Sequence, residues 1–238
     1  MTYTFEPVRP SVTIVIPIHN EAAFLPTALP LLWEELEMVP ADWDLLLVEN
    51  GSTDRTAEVA AEMTAGWSAL VIRHPEADYG ASMRAGFLAA RGEWVVNFDV
   101  DYFSGAFLAK ALAEGADIVI ASKRDPASDD RRSVVRRLAT FTFNMLLKVM
   151  LNSGVSDTHG MKLFSRQVIQ QLAGKVVSRK DLFDTELVLR AERAGFRIAE
   201  VPVVVEEMRV ARSSLLKRAP RTIKGLLAIR QTFAAEQT

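Results

Sequence analysis

Short apolar runs alternate with helix-forming stretches along most of this 238-residue chain, and this rhythm limits the folds that it can adopt. The runs are too short to be helices and are rich in β-branched residues, which is typical of strands that are buried on both faces. They lie at residues 12–16, 45–48, 70–72, 94–98 and 118–120. Strands that alternate with helices predict an α/β fold, here a single domain with a doubly wound, mostly parallel central sheet flanked by helices.

Two turn signals add detail to this prediction. Pro17 directly follows the first run, and because proline cannot donate a hydrogen bond to a neighbouring strand, we expect it to end that strand. After the second run, Asn50-Gly51-Ser52 indicates a turn into a helix, and Ser52 or Thr53 is the residue expected to cap it.

Composition narrows the class of protein. Apolar residues make up 49% of the chain, which excludes a disordered protein. The chain contains no cysteine, so a disulfide framework and thiolate chemistry are excluded and a reducing compartment fits. The sequence has neither a secretory leader nor a run of about 18 apolar residues, so we expect a cytoplasmic protein that does not span a membrane by itself.

Charge is divided unevenly between the two halves of the chain. Residues 1–119 carry 6 Lys and Arg against 18 Asp and Glu, a net charge of −12. Residues 120–238 carry 22 against 12, a net charge of +10. The basic half is therefore expected to meet an anionic ligand or surface. Nucleic acid is not the expected partner, because the basic residues lack interleaved aromatics and a known reader motif.

The strongest candidate for chemistry is Asp99-Val100-Asp101, which directly follows the apolar run at 94–98. In open α/β sheets ligands bind at the carboxyl ends of the strands, so both carboxylates should face a crevice. Two carboxylates offer the hard oxygen ligands that Mg²⁺ or Mn²⁺ prefers, and such an ion commonly binds a diphosphate. The alternative is a solvated acidic turn.

Two segments of the second half are candidates for contact with a membrane. Residues 133–151 form an apolar helix with polar residues at every fourth position, namely Arg136, Thr140, Asn144 and Lys148. Residues 213–233 form a basic amphipathic helix, so we divide the chain into a catalytic domain at 1–212 and a C-terminal helix at 213–238. The alternative is that both helices bury their apolar faces in the core or in a homo-oligomer interface.

Six segments, in order, resemble family 2 glycosyltransferases of the GT-A fold, and among them the polyprenyl-phosphate (dolichyl-phosphate) sugar synthases, nearer to the glucose-type branch. The segments are Ile16 to Glu21, Val48 to Thr56, Gly80 to Gly92 before the Asp-x-Asp pair, Asp157 to Arg166, Phe183 to Leu187, and Ile198 to Pro202. Glu49-Asn50 departs from the Asp-Asp pair of the family, and the segment Asp157 to Gly160 is one residue shorter than in glucose-type enzymes.

The resemblance implies an inverting transferase that takes a sugar from a nucleotide-sugar donor, with a UDP-sugar favoured. The expected metal ligands for Mg²⁺ or Mn²⁺ are Asp99 and Asp101. The expected donor-binding residues are Pro17, His19, Asn20, Glu21, Glu49, Gly80, Arg84 and Val100. Asn20-Glu21 could instead cap a helix, and Arg84 could instead pair with an acid on the helix surface.

The same resemblance implies a polyprenyl phosphate as acceptor. By analogy with the family, Arg124 and Arg136 bind its phosphate, Thr140 lies one turn beyond Arg136, and Asp157 faces the catalytic centre. A phosphate that is already anionic can attack directly, so positioning cations matter more than a general base. Both arginines could instead be solvated surface residues. His159 is either a metal or sugar contact or an ordinary loop histidine.

Such an enzyme is expected to associate peripherally with the membrane surface, alone or with a separate membrane-protein partner. One alternative is a related transferase with a soluble hydroxyl acceptor, which needs a base such as Asp157 or Glu186. Another is an inactive subunit that only binds a nucleotide sugar. A dinucleotide-binding dehydrogenase is excluded, because the first strand is not followed by Gly-x-Gly-x-x-Gly.

Overall fold

The computed structural model describes most of the chain. The described residues are 9–123, 125, 127–131, 134–155, 158, 160–179, 182–205 and 215–236. Three of the residues predicted above from the sequence, Arg124, Asp157 and His159, lie outside these ranges, and of Arg136 only the backbone is described.

Strands and helices alternate as the sequence predicts. The strands are β1 (Ser11–Ile18), β2 (Asp42–Asn50), β3 (Ala69–His74), β4 (Trp94–Asn97), β5 (Ile118–Ser122), β6 (Asp129–Asp130), β7 (Lys162–Ser165), β8 (Ile198–Pro202) and β9 (Val204–Val205). The helices are α1 (Leu25–Glu37), α2 (Thr56–Met63), α3 (Tyr79–Ala89), α4 (Gly105–Glu114), α5 (Val134–Leu151), α6 (Arg166–Leu172), α7 (Phe183–Arg193) and α8 (Leu215–Ala235). A 3₁₀ turn at Ala173–Lys175 follows α6.

The central sheet has seven strands in the order β3-β2-β1-β4-β7-β5-β8. Neighbouring strands are parallel except at β7, which runs antiparallel to both β4 and β5. The predicted mostly parallel α/β sheet with flanking helices is therefore confirmed. A separate pair, β6 and β9, is parallel and links the segment after β5 to the segment after β8.

The prediction that Pro17 ends the first strand is wrong. β1 continues to Ile18, and Pro17 lies opposite Val48 of β2. The pairing of β1 with β4 stops at Val15, opposite Asn97, so beyond that point β1 has a paired strand on one side only. A proline is tolerated where the strand is locally an edge, because the missing N–H is not required there.

The predicted cap of the second helix is also wrong. α2 begins at Thr56, and neither Ser52 nor Thr53 caps it. Asp54 instead accepts a hydrogen bond from the Thr56 backbone N–H at 3.0 Å. Ser52 and Thr53 are not available as caps because both bond to Asn20 in the neighbouring loop.

Alternate side chains of the central strands pack into two cores, one on each face of the sheet. Ile14 and Ile16 face the core formed with α1 and α4, whereas Val15 faces the core formed with α3, α6 and α7. In the second core the Phe87 ring lies 5.4 Å from the Phe164 ring and 5.6 Å from the Phe183 ring. These contacts fix the start of α7 beside β7.

A third, smaller core joins α5 to α7 and α8. It contains Leu147 and Leu151 of α5, Leu189 of α7, and Leu226, Ile229 and Phe233 of α8. The C-terminal part of the basic tail therefore buries its apolar face within the protein, which is the alternative to a membrane contact for that part of the helix. Among the described residues, no helix is long and apolar enough to cross a bilayer.

Candidate active site

Hydrogen bonds join the loops that follow β1 and β2. His19 Nδ1 lies 2.7 Å from the backbone carbonyl oxygen of Asn50. The Asn20 backbone N–H donates to Ser52 Oγ at 3.0 Å, and Asn20 Oδ1 accepts from the Thr53 N–H at 2.9 Å. Asn20 has a φ of +54°, a conformation that asparagine tolerates better than most residues. Its side chain thus binds the neighbouring loop and does not cap α1.

The loop after β2 is also packed against the loop after β3. Glu49 is buried and accepts a hydrogen bond from the Ser52 N–H. Gly51 has a φ of +60°, and a Cβ there would lie 2.7 Å from the backbone of Glu76 and Ala77. Any larger residue would push these loops apart. The carboxyl ends of β1 to β3 therefore form one rim, on which His19, Asn20, Glu21 and Glu49 lie close together.

The two predicted metal ligands lie in a tight turn at the end of β4. The backbones of Asp99 and Tyr102 exchange two hydrogen bonds, with N–O distances of 3.2 and 3.0 Å. This pairing places Val100 and Asp101 at the tip of the turn, next to β1 at the centre of the sheet. The Val100 side chain is buried in the core, so only its backbone can reach a donor.

The surroundings of Asp99 raise the pKa of its carboxyl group. Burial, then the negative charges of Asp101 and Asp184, raise its pKa from 3.8 to about 6, against the opposing charges of Lys162 and Lys123. The negative charges of Asp101 and Asp184 thus disfavour the ionised form of Asp99. A divalent cation would relieve this repulsion directly.

Two lysines that we had not assigned to the site from the sequence complete it. Lys162 is fully buried at the start of β7 and donates to Asp184 of α7 at 2.6 Å and to the Gly160 carbonyl at 2.7 Å. Lys123 follows β5, and its Nζ lies 5.9 Å from the centre of the Tyr102 ring. The signal that could have identified them is their position at a strand boundary, since Lys123 directly follows β5 and Lys162 begins β7. The Lys162–Asp184 contact itself links elements that are remote in sequence.

The donor set suits a partly hydrated hard cation. No group of three or more His, Cys, Asp and Glu side chains within the described part of the chain is arranged to hold a metal. Two carboxylates are enough for Mg²⁺ or Mn²⁺ when water and phosphate oxygens supply the other ligands, since Mg²⁺ usually keeps several waters. The residues present therefore fit a metal that is bound together with a diphosphate.

Three other predicted or alternative site residues are engaged elsewhere. A Cβ on Gly80 would lie 2.7 Å from the Ser178 carbonyl oxygen, and Arg84 donates to the Val176 carbonyl, so both hold the segment 176–179. The partner of Arg84 found among the described residues is a carbonyl, not the surface acid of our alternative. Glu186 is fully buried and accepts hydrogen bonds from the backbone N–H groups of Val177 and Ser178 and from Arg190. With its oxygens so occupied, Glu186 cannot act as the base of the soluble-acceptor alternative.

The predicted acceptor residues that the structure describes lie on α5. Thr140 is partly buried on this helix, one turn after Arg136. The polar stripe of α5 faces inward where Asn144 is buried, whereas the exposed side carries five large apolar residues. These are Val134, Leu138, Phe141, Met145 and Val149.

Comparison with known proteins identifies the family of the chain. Residues 13–173 match the family model described as glycosyl transferase family 2. The chain belongs to this family. It is 34% identical over 197 residues to an uncharacterized glycosyltransferase of Mycobacterium bovis, an alignment that covers 81% of this chain and 84% of the relative. It is also 32% identical over 207 residues to glycosyltransferase AglD of Haloferax volcanii, but the match covers 81% of this chain and only 32% of AglD.

Solved structures show the same GT-A fold. Glucosyl-3-phosphoglycerate synthase of Mycobacterium tuberculosis, in complex with Mn²⁺, UDP-glucose and phosphoglyceric acid, superposes with a TM-score of 0.69 at 20% identity, covering 93% of this chain and 80% of the other. The complex of the same enzyme with Mg²⁺ and UDP gives a TM-score of 0.66 at 21% identity, covering 92% of this chain and 78% of the other. The metals expected from the sequence are those with which this structural relative was crystallised.

Proposed function

We propose that this protein transfers a sugar from a UDP-sugar to a polyprenyl phosphate at a membrane surface, with Mg²⁺ or Mn²⁺ bound by Asp99 and Asp101. Family membership supports the glycosyl transfer. The structural relative crystallised with UDP-glucose and Mn²⁺ supports the class of donor and of metal.

The repulsion among carboxylates at the end of β4 is the observation that carries the donor half of this proposal. Asp99 and Asp101 would hold the cation, and the bound ion would act as a Lewis acid on the diphosphate leaving group. Lys162 neutralises Asp184 behind them and so favours the ionised state of Asp99. His19, Asn20 and Glu49 would line the uridine side, on a rim whose hydrogen bonds fix it before the donor arrives.

The buried state of Glu186 removes one of the two candidate bases for a hydroxyl acceptor. Its carboxylate is occupied by two backbone N–H groups and Arg190, so it cannot deprotonate a sugar or glycerol hydroxyl. An acceptor phosphate is already ionised and needs only to be positioned. A soluble acceptor is the second candidate, since the structural relative was crystallised with phosphoglyceric acid. In that case Asp157 is the remaining base.

The outer side of α5 supports the membrane half of the proposal. Val134, Leu138 and Val149 are 76%, 62% and 74% exposed, and Phe141 and Met145 are about half exposed. Ile223 and Leu227 of α8 are also exposed, at 43% and 46%. A contiguous apolar face of this kind marks an interaction site on a protein surface.

Charge favours a lipid surface over a second copy of this chain as the partner of that face. The sequences of α5 and α8 hold eight Lys and Arg residues and no acid, and Glu236 directly follows α8. A self-association through this face would bring like charges together, whereas an anionic bilayer complements it and accepts the apolar side chains. A separate membrane-protein partner remains compatible with the same face.

The acceptor site can be tested by mutating Arg124 and Arg136. If these arginines bind the lipid phosphate, replacing either with alanine should weaken use of the lipid acceptor by about tenfold or more, because a charge-assisted hydrogen bond is lost. UDP affinity, measured by calorimetry, should change little. Lysine should rescue only in part, since it lacks the planar pair of donors that matches a phosphate.

Arg137→Ala is the matched control, because Arg137 is the exposed neighbour of Arg136 on the same helix. Equal losses of UDP affinity in the Arg124 and Arg136 variants would instead assign them to the donor diphosphate. Transfer to phosphoglycerate with none to the lipid would support the soluble-acceptor candidate.

A further inference from the structure

A basic cleft, distinct from the candidate active site, lies at the C-terminal end of α7. Its volume is about 650 Å³, and it is lined by residues of the 3₁₀ turn, α7 and α8, among them Lys175, Arg190, Arg193, Phe233 and Glu236. Arg190 lies six residues beyond Asp184 on α7, roughly 9 Å along the helix axis. The cleft is therefore separate from the crevice that contains Asp99 and Asp101.

Arg190 is buried in the wall of this cleft with one donor unused. Only 6% of the residue is exposed. Its Nε donates to Glu186 at 2.8 Å, and its Nη1 donates to the two carboxylate oxygens of Glu236 at 2.9 and 3.0 Å. Its Nη2 is buried, and no acceptor for it lies among the described residues. A buried donor without an acceptor is costly, so this nitrogen is suited to a ligand oxygen.

Two further cations face the same cleft. The Arg193 guanidinium lies 4.2 Å from the centre of the Phe233 ring, and the Arg190 guanidinium lies 5.1 Å from the centre of the same ring. Arg193 makes one long hydrogen bond, 3.4 Å, to the Leu151 carbonyl. Lys175 also lines the cleft. Three cations thus line a cleft that is also lined by one acid, Glu236, which directly follows α8.

Glu236 can leave this position more easily than the other groups. Its side chain is 50% exposed, whereas the side chain of Arg190 is 5% exposed. A half-exposed carboxylate is partly solvated, so water can replace part of its contact with the guanidinium. A multiply charged oxyanion would exchange favourably with it, since it could also accept from Nη2 and face Arg193 and Lys175.

We propose that Lys175, Arg190 and Arg193 form a second anion site that binds a phosphate group, with Glu236 occupying the site when no anion is bound. The cleft is larger than one phosphate, so it has room for a phosphate monoester as well as for free phosphate. The ligand is one of these two. The proposal does not depend on the proposed function, since none of these residues lies in the candidate active site. The bound anion would contact the same guanidinium that holds Glu186, and Glu186 in turn holds the segment 176–179.

The test is calorimetric titration of the full chain with inorganic phosphate and, separately, with glycerol phosphate. Saturating UDP and Mg²⁺ are present in one arm, to fill the candidate active site, and absent in the other. One phosphate should bind in both arms. Glu236→Gln should tighten binding by about fivefold, because the built-in competitor is lost. Arg193→Gln should weaken it by about tenfold, because a charged donor is lost.

Glu62→Gln and Arg55→Gln are the matched controls, since this exposed ion pair lies on α2 and at its start. They should leave phosphate binding unchanged. Tighter binding of glycerol phosphate than of inorganic phosphate would identify a monoester as the ligand, and the reverse would identify free phosphate. The proposal is overturned if Glu236→Gln binds no phosphate, or if Arg193→Gln binds it as tightly as the unmodified protein. Both results are independent of whether UDP binds.

Discussion

Helices α1 and α5 are both rich in apolar residues, but the protein buries them in opposite ways. α1 places Leu25, Leu29, Leu32 and Leu36 against the sheet, all at 1% exposure or less. α5 exposes Leu138 and Val149, among others, and buries the polar Asn144. Apolar content therefore does not decide which side of a helix is buried. The decision depends on which neighbours the fold provides, and the outer side of α5 is largely exposed.

The two helices also carry charges of opposite sign. α1 carries Glu34, Glu35 and Glu37 and no cation, whereas α5 carries Arg136, Arg137 and Lys148 and no acid. This is the local form of the division between an acidic first half and a basic second half. We infer that the first half binds a metal and the sugar donor. We also infer that the outer side of α5 contacts a surface that carries negative charge and accepts apolar side chains.

The largest expected difference between the two helices is the effect of a leucine-to-alanine substitution on the free energy of unfolding. Leu32→Ala in α1 removes a buried side chain and should lower the free energy of unfolding by about 2–5 kcal/mol. Leu138→Ala in α5 removes an exposed one and should change it by less than about 0.5 kcal/mol. Urea unfolding of both variants measures the difference. Similar losses in the two variants would show that the outer side of α5 is covered in solution.

Turnover should depend on the metal ligands, Asp99 and Asp101, which belong to the first half. Asp101→Asn should lower turnover by more than about a hundredfold, equivalent to about 2.7 kcal/mol of barrier, because it removes a metal ligand. Turnover of the unmodified protein should vanish in excess chelator and return with Mg²⁺ or Mn²⁺. Binding of Asp101→Asn to vesicles should be unchanged. Full activity in excess chelator would remove Asp99 and Asp101 from the mechanism.

Membrane binding should depend on the second half alone. Leu138→Glu should lower co-sedimentation with anionic vesicles by about tenfold or more. Burial of a leucine side chain contributes about 1.5–3 kcal/mol, and this contribution is lost when a charged residue replaces it. Leu31→Glu is the matched control, because Leu31 is a 40% exposed leucine of α1. UDP binding should be unchanged in both variants.

Vesicle binding of the unmodified protein should rise with the anionic lipid fraction and fall with salt, as screening weakens the attraction of its cations. Absence of binding to neutral and anionic vesicles alike, at low salt, would contradict the membrane half of the proposal unless a partner protein provides the anchor.

The smallest of these effects is the pH dependence of metal binding. The pKa of Asp99 is raised to about 6, so the carboxylate is protonated below that pH and a proton then competes with the cation. Mn²⁺ affinity should be nearly constant above pH 7 and about tenfold weaker at pH 5, since one proton must be displaced. Calorimetric titration with Mn²⁺ at the two pH values measures this. Equal affinity at pH 5 and pH 7 would exclude Asp99 as the titrating ligand.

Local sequence signals were sufficient to predict the order of elements and the candidate metal site. β4 ends in Asp99-Val100-Asp101 because an apolar run stops at two acids, and the period of such runs is visible without a structure. The antiparallel direction of β7 was not predicted, since the short segment Lys-Leu-Phe-Ser fits either direction. Pro17 was misread because the local edge of β1 depends on where β4 stops pairing.

Contacts between remote segments were the part that the sequence could not show. Lys162 and Asp184 form a buried pair across two elements, and each alone looks like an ordinary charged residue. Arg84 was expected at the donor, but it donates to the Val176 carbonyl, 92 residues away in the chain. The regular spacing of polar residues on α5 indicated a helix correctly. It did not indicate which side of that helix faces the protein.

The most direct test of the central claim is the mass of the product. The protein is incubated with Mg²⁺ or Mn²⁺, a panel of UDP- and GDP-sugars, and a short polyprenyl phosphate in anionic vesicles, with phosphoglycerate as the soluble acceptor in parallel. We predict a polyprenyl-phosphate sugar formed from a UDP-sugar and no glycosylated phosphoglycerate. Transfer to phosphoglycerate with an unmodified lipid would contradict the account.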